Sequence, residues 1–382
     1  MNVKKENQIN FINIGLMFLS MLMAFMLPFE TFLFAYAFLG PLHYLTEISW
    51  LHDRNYFSKG RYDFLFLLAI GIIITYDFFA TKYGFHQGFT SIYSDMNIYG
   101  KILSLAIFGS ILFSLVENIW IKIISILLIF AFVDHWFAPN YLTQEGKEIF
   151  KGNSVTFAIT SLIPTLIHVY IFTGLFMLYG SLKSRNLSGL LSVLVFIFAP
   201  ITLWNFFQGE TFIPITNYGR DAYYAGGDGF WSLNASLMKE FDLQKLPIMT
   251  DSLGRQLFYT TGEPAIDTKA SLSVIFESGM GIMLMRIIAF AYLYHYLNWF
   301  SKTEIIRWHA VPKLRFALVI TLWLIACGLY AYDYSLGLTY LFFLSFCHVL
   351  LEFPLNVISI VGIGKETYAI FTKGFTKIPI KK

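Results

Sequence analysis

Two pairs of histidine and glutamate interrupt long apolar stretches of this sequence. His43 and Glu47 lie in PLHYLTEISWLHDR at 41–54, and His348 and Glu352 lie in FCHVLLEFP at 346–354. A spacing of four places both members of a pair on one face of a helix. Ionisable side chains inside a membrane span are costly, and they face a bundle interior, a partner or a bound ion. The repeated spacing therefore predicts that two distant helices meet at one polar site.

Histidines on four predicted spans are candidate metal ligands because their predicted depths in the membrane are similar, and His52 lies at the inner mouth of the second span. The predicted ligands are His43, His295 and His348, with His168 and His52 as further candidates and His309 as a lid or an additional ligand. Imidazole together with carboxylate suits non-haem iron, which keeps positions open for oxygen. We therefore predict a bound divalent transition metal, most simply iron.

The two glutamates fall one helical turn beyond their histidines, so Glu47 and Glu352 are predicted as carboxylate ligands or catalytic bases. Side chains predicted to orient the ligating rings are Tyr44, Glu117, Asn118, Asn298 and Asn356. Pro41 and Pro164 precede His43 and His168 closely, and a proline bends a helix and frees a carbonyl. Kinks beside the histidines favour a cavity at this level.

Each of these residues also has a simpler interpretation. A single membrane histidine such as His168 is more often an interhelical contact than a ligand. His295 lies among aromatic residues that are typical of an interfacial belt, and His52 precedes two charged residues that are typical of a solvated helix end. Arg286 needs an acidic partner inside the membrane, and Asp77 is the predicted one.

The composition is that of a membrane protein. Hydrophobic residues make up 57% of the 382 residues and charged residues only 13%, which excludes an ordinary water-soluble globule. The net charge of +3 forms no basic stripe, so a nucleic-acid partner is not expected. Both cysteines, Cys327 and Cys347, lie inside predicted spans, which makes a disulfide framework improbable.

The fold class predicted from these patterns is all-α, a polytopic bundle of about ten transmembrane helices forming one membrane domain over 1–382. The predicted spans are 11–29, 31–51, 64–82, 101–117, 119–138, 155–181, 187–206, 274–300, 314–333 and 335–359. Lysine and arginine concentrate in alternate loops and in the tail, which predicts that both termini are cytoplasmic, most simply in a bacterial inner membrane. Segment 207–273, between spans seven and eight, is predicted as a long extracytoplasmic loop.

These features predict an integral membrane metalloenzyme, most simply a non-haem iron oxygenase or oxidoreductase. Its expected substrate is a lipid, polyene or isoprenoid that enters laterally from the inner leaflet. Two alternatives remain open: a proton-coupled secondary transporter that uses the same residues as a relay, and a haem-b electron carrier with two histidines as axial ligands. Membrane desaturases bind two irons through closely spaced histidine boxes, which this sequence lacks.

Overall fold

The computed structural model describes residues 3–93, 97–137, 141–144, 147–150, 154–206, 209, 211–227, 229–259, 264–302 and 311–375. In chain order the α-helices are α1 (Val3–Met26), α2 (Pro28–Phe34), α3 (Gly40–His52), α4 (Phe64–Lys82), α5 (Phe89–Ile92), α6 (Ile98–Leu115), α7 (Ile119–Trp136), α8 (Ser154–Phe157), α9 (Thr173–Ser184), α10 (Leu187–Phe206), α11 (Asn217–Tyr224), α12 (Trp231–Glu240), α13 (Thr268–Glu277), α14 (Gly279–Ser301), α15 (Lys313–Tyr332) and α16 (Tyr334–Lys373). Two π-helical segments, Ala35–Leu39 and Ala158–Phe172, join α2 to α3 and α8 to α9. Short 3₁₀ turns cover Asn55–Phe57 and Ala225–Gly227.

Within these described ranges, nine helical segments are long and apolar enough to cross a membrane. They are α1, α4, α6, α7, the continuous segment Ser154–Ser184, α10, α14, α15 and α16. The segment from Pro28 to His52 is a further continuous helix, and it corresponds to the second predicted span. Its lower apolarity has a direct cause, because it carries Glu30, His43 and Glu47. The all-α polytopic bundle predicted from the sequence is confirmed.

The buried centre of the bundle is α14, of which most side chains are enclosed. It packs against α1, α2 and the π-helical segment Ala158–Phe172, while α16 packs against α3, α4, α6 and α9. By contrast, α7 leaves nearly all of its large apolar side chains exposed. An apolar helix that is exposed in this way fits a lipid-facing position at the edge of the bundle.

Both π-helical segments lie next to the prolines that the sequence singles out. Pro164 falls inside Ala158–Phe172, and Pro41 follows Ala35–Leu39 by two residues. A proline has no N–H to donate to the preceding turn, and π segments are frequent at functional sites. These irregular turns come just before His43 and around His168, and they set the direction in which both rings point.

A small extramembrane part lies between α10 and α14. Phe29 packs edge-on against Tyr223 of α11 and Phe276 of α13, which fixes these short helices on the end of α2. Isolated antiparallel bridges such as Ile248 with Ile266 order the segment between α12 and α13. The only strands in the described residues are β1 (Tyr141–Gln144) and β2 (Lys147–Phe150), which form a hairpin. The extracytoplasmic location of 207–273 and the orientation of both termini remain predictions.

Candidate metal centre

Four histidines from four different helical segments meet in the middle of the bundle. His43 lies on α3, His168 on the π-helical segment, His295 on α14 and His348 on α16. None of the four is more than 6% exposed. The convergence that the sequence predicts for His43, His168, His295 and His348 is therefore found.

The four imidazoles face one another through their Nε2 atoms. The distance from His43 Nε2 to His295 Nε2 is 3.0 Å, and that from His168 Nε2 to His348 Nε2 is 3.2 Å. Ring centroids connect the two pairs, at 5.4 Å for His43 and His348 and 4.9 Å for His168 and His295. The two pairs are therefore linked and do not form separate contacts, with ring nitrogens of His43, His168 and His348 within 4.8 Å of one another and His295 joined to them through His43. We call these four residues the histidine cluster.

The spacing of the histidine cluster suits a metal ion. His43, His168 and His348 each offer a ring nitrogen, and these three atoms lie within 4.8 Å of one another. With metal–nitrogen bonds of about 2.1 Å, two ligands of one metal are separated by about 3.0 Å at a right angle and about 3.4 Å at a tetrahedral angle. The nitrogen separations of 3.0 and 3.2 Å match this range.

Both predicted glutamates contact the histidine cluster. Glu47 Oε2 lies 3.0 Å from His43 Nε2, and Glu352 Oε2 lies 2.9 Å from His168 Nδ1. Both side chains are 3% exposed or less. Glu47 is therefore on the Nε2 side, where a ligand would be, whereas Glu352 faces the ring nitrogen of His168 that points away from His348.

Several polar atoms of this group are buried without a hydrogen-bond partner among the described residues. They are Nδ1 of His43 and His168, and Oε2 of Glu47 and Glu352. The two close carboxylate contacts are thus not aligned as N–H···O bonds. A buried polar atom without a partner costs about 1–3 kcal/mol, and a cation bound on the Nε2 side would compensate this cost for Glu47 Oε2. Glu47 Oε2 is thus the unpaired atom that indicates a bound cation, whereas Nδ1 of each ring lies on the side away from a metal on its Nε2.

Three neighbouring side chains hold the rings in place. Thr173 Oγ1 lies 2.7 Å from His295 Nδ1, which leaves Nε2 of that ring facing the cluster. The ring of Tyr44 stacks on His348 with centroids 4.3 Å apart, and the Tyr44 hydroxyl lies 3.2 Å from that of Tyr296. The orienting role predicted for Tyr44 is thus matched by a contact. The contact of Thr173 has no counterpart in the sequence prediction, because threonine is common at helix interfaces.

Other predicted residues lie elsewhere. His52 is exposed at the end of α3, nine residues or about 13 Å from His43, with its ring near Tyr56 at 6.0 Å. His309 lies outside the described residues. The prediction that Glu117 and Asn118 orient the ligands is wrong, because the Glu117 side chain is 79% exposed and Asn118 caps α7 through its side-chain oxygen. Depth alone does not distinguish helix ends from the bundle interior.

Two buried asparagines keep free polar atoms among the described residues. Asn298 lies one turn beyond His295 with its Oδ1 unpaired, and it borders a separate small cavity beside Lys302. Both side-chain polar atoms of Asn356 are also unpaired. These unpaired atoms make no hydrogen bond to the histidine cluster, so the orienting role of both asparagines stays a prediction.

The predicted pairing of Arg286 with Asp77 is wrong. The Arg286 guanidinium donates to the carbonyl of Phe25 at 3.3 Å and to that of Gly209 at 3.4 Å, and it also lies over the Phe25 ring. Asp77 accepts from the backbone N–H of Phe89 at 3.0 Å and from the hydroxyl of Tyr99. The two charges belong to different parts of the bundle, because Asp77 lies near the end of α4 and Arg286 borders α1.

A cavity of about 420 Å³ lies directly beside the histidine cluster. Three of the four histidines, all but His43, line it together with tyrosine rings and apolar side chains. Its lining reaches Tyr99 at the start of α6 and Thr156 in α8, at the end of the bundle opposite His52. The cavity therefore extends toward the end of the bundle opposite His52. The sequence predicts substrate access from the His52 end instead.

The geometry permits a metal held by imidazoles, with carboxylates close by and an apolar space on one side. Comparisons with protein-family models, with curated proteins and with solved structures gave no match to this chain.

Proposed function

We propose that this protein is an integral membrane metalloenzyme that oxidises a hydrophobic substrate at the histidine cluster. One observation carries the proposal: four buried imidazoles and two buried carboxylates meet beside an apolar cavity of about 420 Å³. Buried ionisable groups are otherwise costly in a membrane interior. A cavity of this volume is within the range of small-molecule sites.

Iron is the proposed metal. Imidazole nitrogen with one or more carboxylates, and with open positions, is the ligand set of many non-haem iron oxygenases. Ring nitrogens of His43, His168 and His348 would hold the metal, and His295 Nε2 and Glu47 Oε2, each 3.0 Å from His43 Nε2, are the further candidate ligands. Bound there, iron supplies the activation of oxygen that the side chains alone cannot provide.

The remaining groups have defined tasks in this proposal. Glu352 Oε2 lies 2.9 Å from His168 Nδ1, and it would accept the proton of that nitrogen once the ring turns into line to hold a metal through Nε2. Thr173 fixes His295 in the same way. The apolar wall of the cavity excludes water and holds the chain of a lipid, polyene or isoprenoid against the open side of the centre.

A proton-coupled transporter is a second candidate. Glu47 Oε2 and His295 Nε2 each lie 3.0 Å from His43 Nε2, so three proton-accepting groups are close enough to exchange a proton. A haem-b carrier is less well supported, because axial ligands occupy opposite faces of a macrocycle. Nitrogens separated by 3.0 and 3.2 Å leave no space for a macrocycle between them.

Metal content and oxygen consumption test the proposal together. Anaerobically purified protein is expected to contain stoichiometric iron, and to consume oxygen when a long-chain alcohol or a polyene is added. His43→Ala and His348→Ala should lose both properties. His135→Ala, at the exposed end of α7, is the matched control and should keep both. Wild-type protein without stoichiometric metal, together with proton-coupled uptake in liposomes, would favour the transporter.

A further inference from the structure

A second cavity of about 540 Å³ adjoins the one beside the histidine cluster. The two share three lining residues, Ile74, Tyr99 and Phe342. Phe342 lies on α16 six residues before His348, which is about 9 Å along the helix axis. The shared lining residues therefore place the two spaces side by side along the bundle, and we call the two together the access passage. It leads from the cluster toward the end of the bundle opposite His52.

The inner and outer parts of the access passage differ in chemistry. The inner part is bordered by apolar side chains such as Leu103, Val169 and Phe346, besides the tyrosines and histidines. The outer part contains a carboxylate and an ammonium group, those of Asp77 and Lys82, together with the hydroxyl of Thr81. A molecule that fills both parts needs an apolar body and a polar end.

The charges of the outer part restrict that polar end. Asp77 is buried and is fixed by the Tyr99 hydroxyl and the Phe89 N–H, with His86 Nε2 at 3.3 Å. The Lys82 ammonium donates to Thr339 Oγ1 at 2.7 Å. A charged head group of either sign would be attracted by one of these residues and repelled by the other, so neither sign is favoured on balance. A hydroxyl can donate to a carboxylate and accept from an ammonium, so it suits both.

We infer that the substrate of this centre is a single-chain alcohol of the fatty or isoprenoid class. It enters between α4, α6 and α16 with its hydroxyl at Asp77 and Lys82 and its chain directed to the histidine cluster. This inference rests on the proposed function for its chemistry, but binding in the access passage does not depend on the metal. The route differs from the inner-leaflet access expected from the sequence, since it opens at the other end of the bundle.

Photo-crosslinking tests the inference without turnover. Three probes share a 16-carbon chain with a diazirine at the far end and differ only in their head: alcohol, carboxylate or trimethylammonium. Labelled peptides are mapped by mass spectrometry in metal-free and metal-loaded protein. The alcohol probe is expected to label Val169 or Phe346, and to do so at least about tenfold more than either charged probe, since 1.4 kcal/mol corresponds to tenfold.

Substitutions in the access passage sharpen the test. Ile74→Trp and Phe342→Trp should reduce inner labelling at least about tenfold, whereas Ile72→Trp, whose side chain is 51% exposed on the same helix, should not. Asp77→Asn should increase labelling by the carboxylate probe, and Lys82→Met should increase labelling by the ammonium probe. Ile74→Ala widens the access passage and should preserve labelling. If it does, the loss of labelling in Ile74→Trp is due to the blocked passage and not to the removal of Ile74 itself.

Labelling confined to lipid-facing residues, or equal labelling by all three heads, would overturn the inference. Metal content is measured on the same samples, so the two proposals fail separately. Protein that binds metal but shows no inner labelling refutes only the access passage. Protein that shows inner labelling but binds no metal refutes only the metalloenzyme.

Discussion

Glu352→Gln separates two roles for this carboxylate, as a direct ligand or as the group that orients His168. His168 presents Nε2 toward His348 at 3.2 Å, and its Nδ1 faces Glu352 Oε2 at 2.9 Å. A carboxylate on the distal nitrogen of a ligating imidazole fixes the ring and raises its basicity. We therefore expect Glu352 to strengthen metal binding through His168.

The expected magnitude follows from this position. Loss of such an orienting partner typically lowers metal affinity about 10- to 100-fold, or by about 1.4–2.7 kcal/mol. Loss of a direct ligand costs more. If about 10–16 kcal/mol of binding energy is divided among four ligands, each contributes about 2.5–4 kcal/mol. His168→Ala should then weaken binding about 70- to 900-fold.

Competition between the detergent-solubilised protein and a chromophoric chelator for Zn²⁺ measures these affinities. The matched control is Glu366→Gln, because Glu366 lies on the same helix but pairs with Arg185 at 2.8 Å. Its affinity should stay within about twofold of wild type, as expected for a residue outside the centre. Far-UV circular dichroism of each variant checks that the bundle is intact.

The order of the three variants in Zn²⁺ affinity shows whether Glu352 is a direct ligand or orients His168. Glu352→Gln should fall between the control and His168→Ala. An affinity equal to that of His168→Ala would make Glu352 a direct ligand. Wild-type affinity in both Glu352→Gln and His168→Ala would refute the assignment of a metal to this cluster.

Three further predictions concern stability and pH. Lys122→Met should lower the free energy of unfolding by about 3 kcal/mol in an SDS titration, because it leaves the buried Asp63 carboxylate without its ion pair. The control is Lys59→Met, which removes an exposed ion pair and should change the free energy of unfolding by less than about 0.5 kcal/mol in the same titration. Gly71→Ala should cost about 1–3 kcal/mol because the new methyl group meets Cys347 Sγ, whereas Gly180→Ala, with open space around it, should be neutral or stabilising in thermal unfolding. Metal affinity should fall when acid protonates the imidazoles, since protons and metal compete for the same nitrogens, and chelator titrations that show constant affinity down to the pH at which the bundle unfolds would contradict histidine ligation.

The sequence predicted which side chains meet, because membrane burial leaves ionisable groups few alternatives. His43, Glu47, His348 and Glu352 are costly in lipid unless they face each other or an ion, so their spacing and depth were informative. His168 and His295 lack a carboxylate one turn away, and only their depth linked them to the others.

The rotation of each helix about its axis could not be predicted from the sequence. The π-helical segment Ala35–Leu39 alters the direction of every side chain that follows it on α3, and no regular period in the sequence reports this change. The same applies to Thr173, which follows a π-helical stretch of 15 residues and reaches His295. His52 is predicted at the inner mouth of its span, as a ligand or as a solvated helix end, and in the structure it is exposed at the end of α3.

The direction of the cavity could not be predicted because it depends on where side chains fail to fill space. In the sequence, nothing distinguishes Phe342, Ile74 and Tyr99 from other apolar or interfacial residues. Only their positions in the packed bundle make them the wall shared by two cavities.

X-ray absorption spectroscopy at the iron edge, on protein reconstituted with Fe²⁺ under nitrogen, tests the central claim most directly. We expect a nitrogen and oxygen shell near about 2.1 Å with the multiple-scattering pattern of at least three imidazoles, and the loss of one imidazole in His348→Ala. A shell without imidazole scattering, or one that His348→Ala leaves unchanged, would contradict a metal centre built from these four helices.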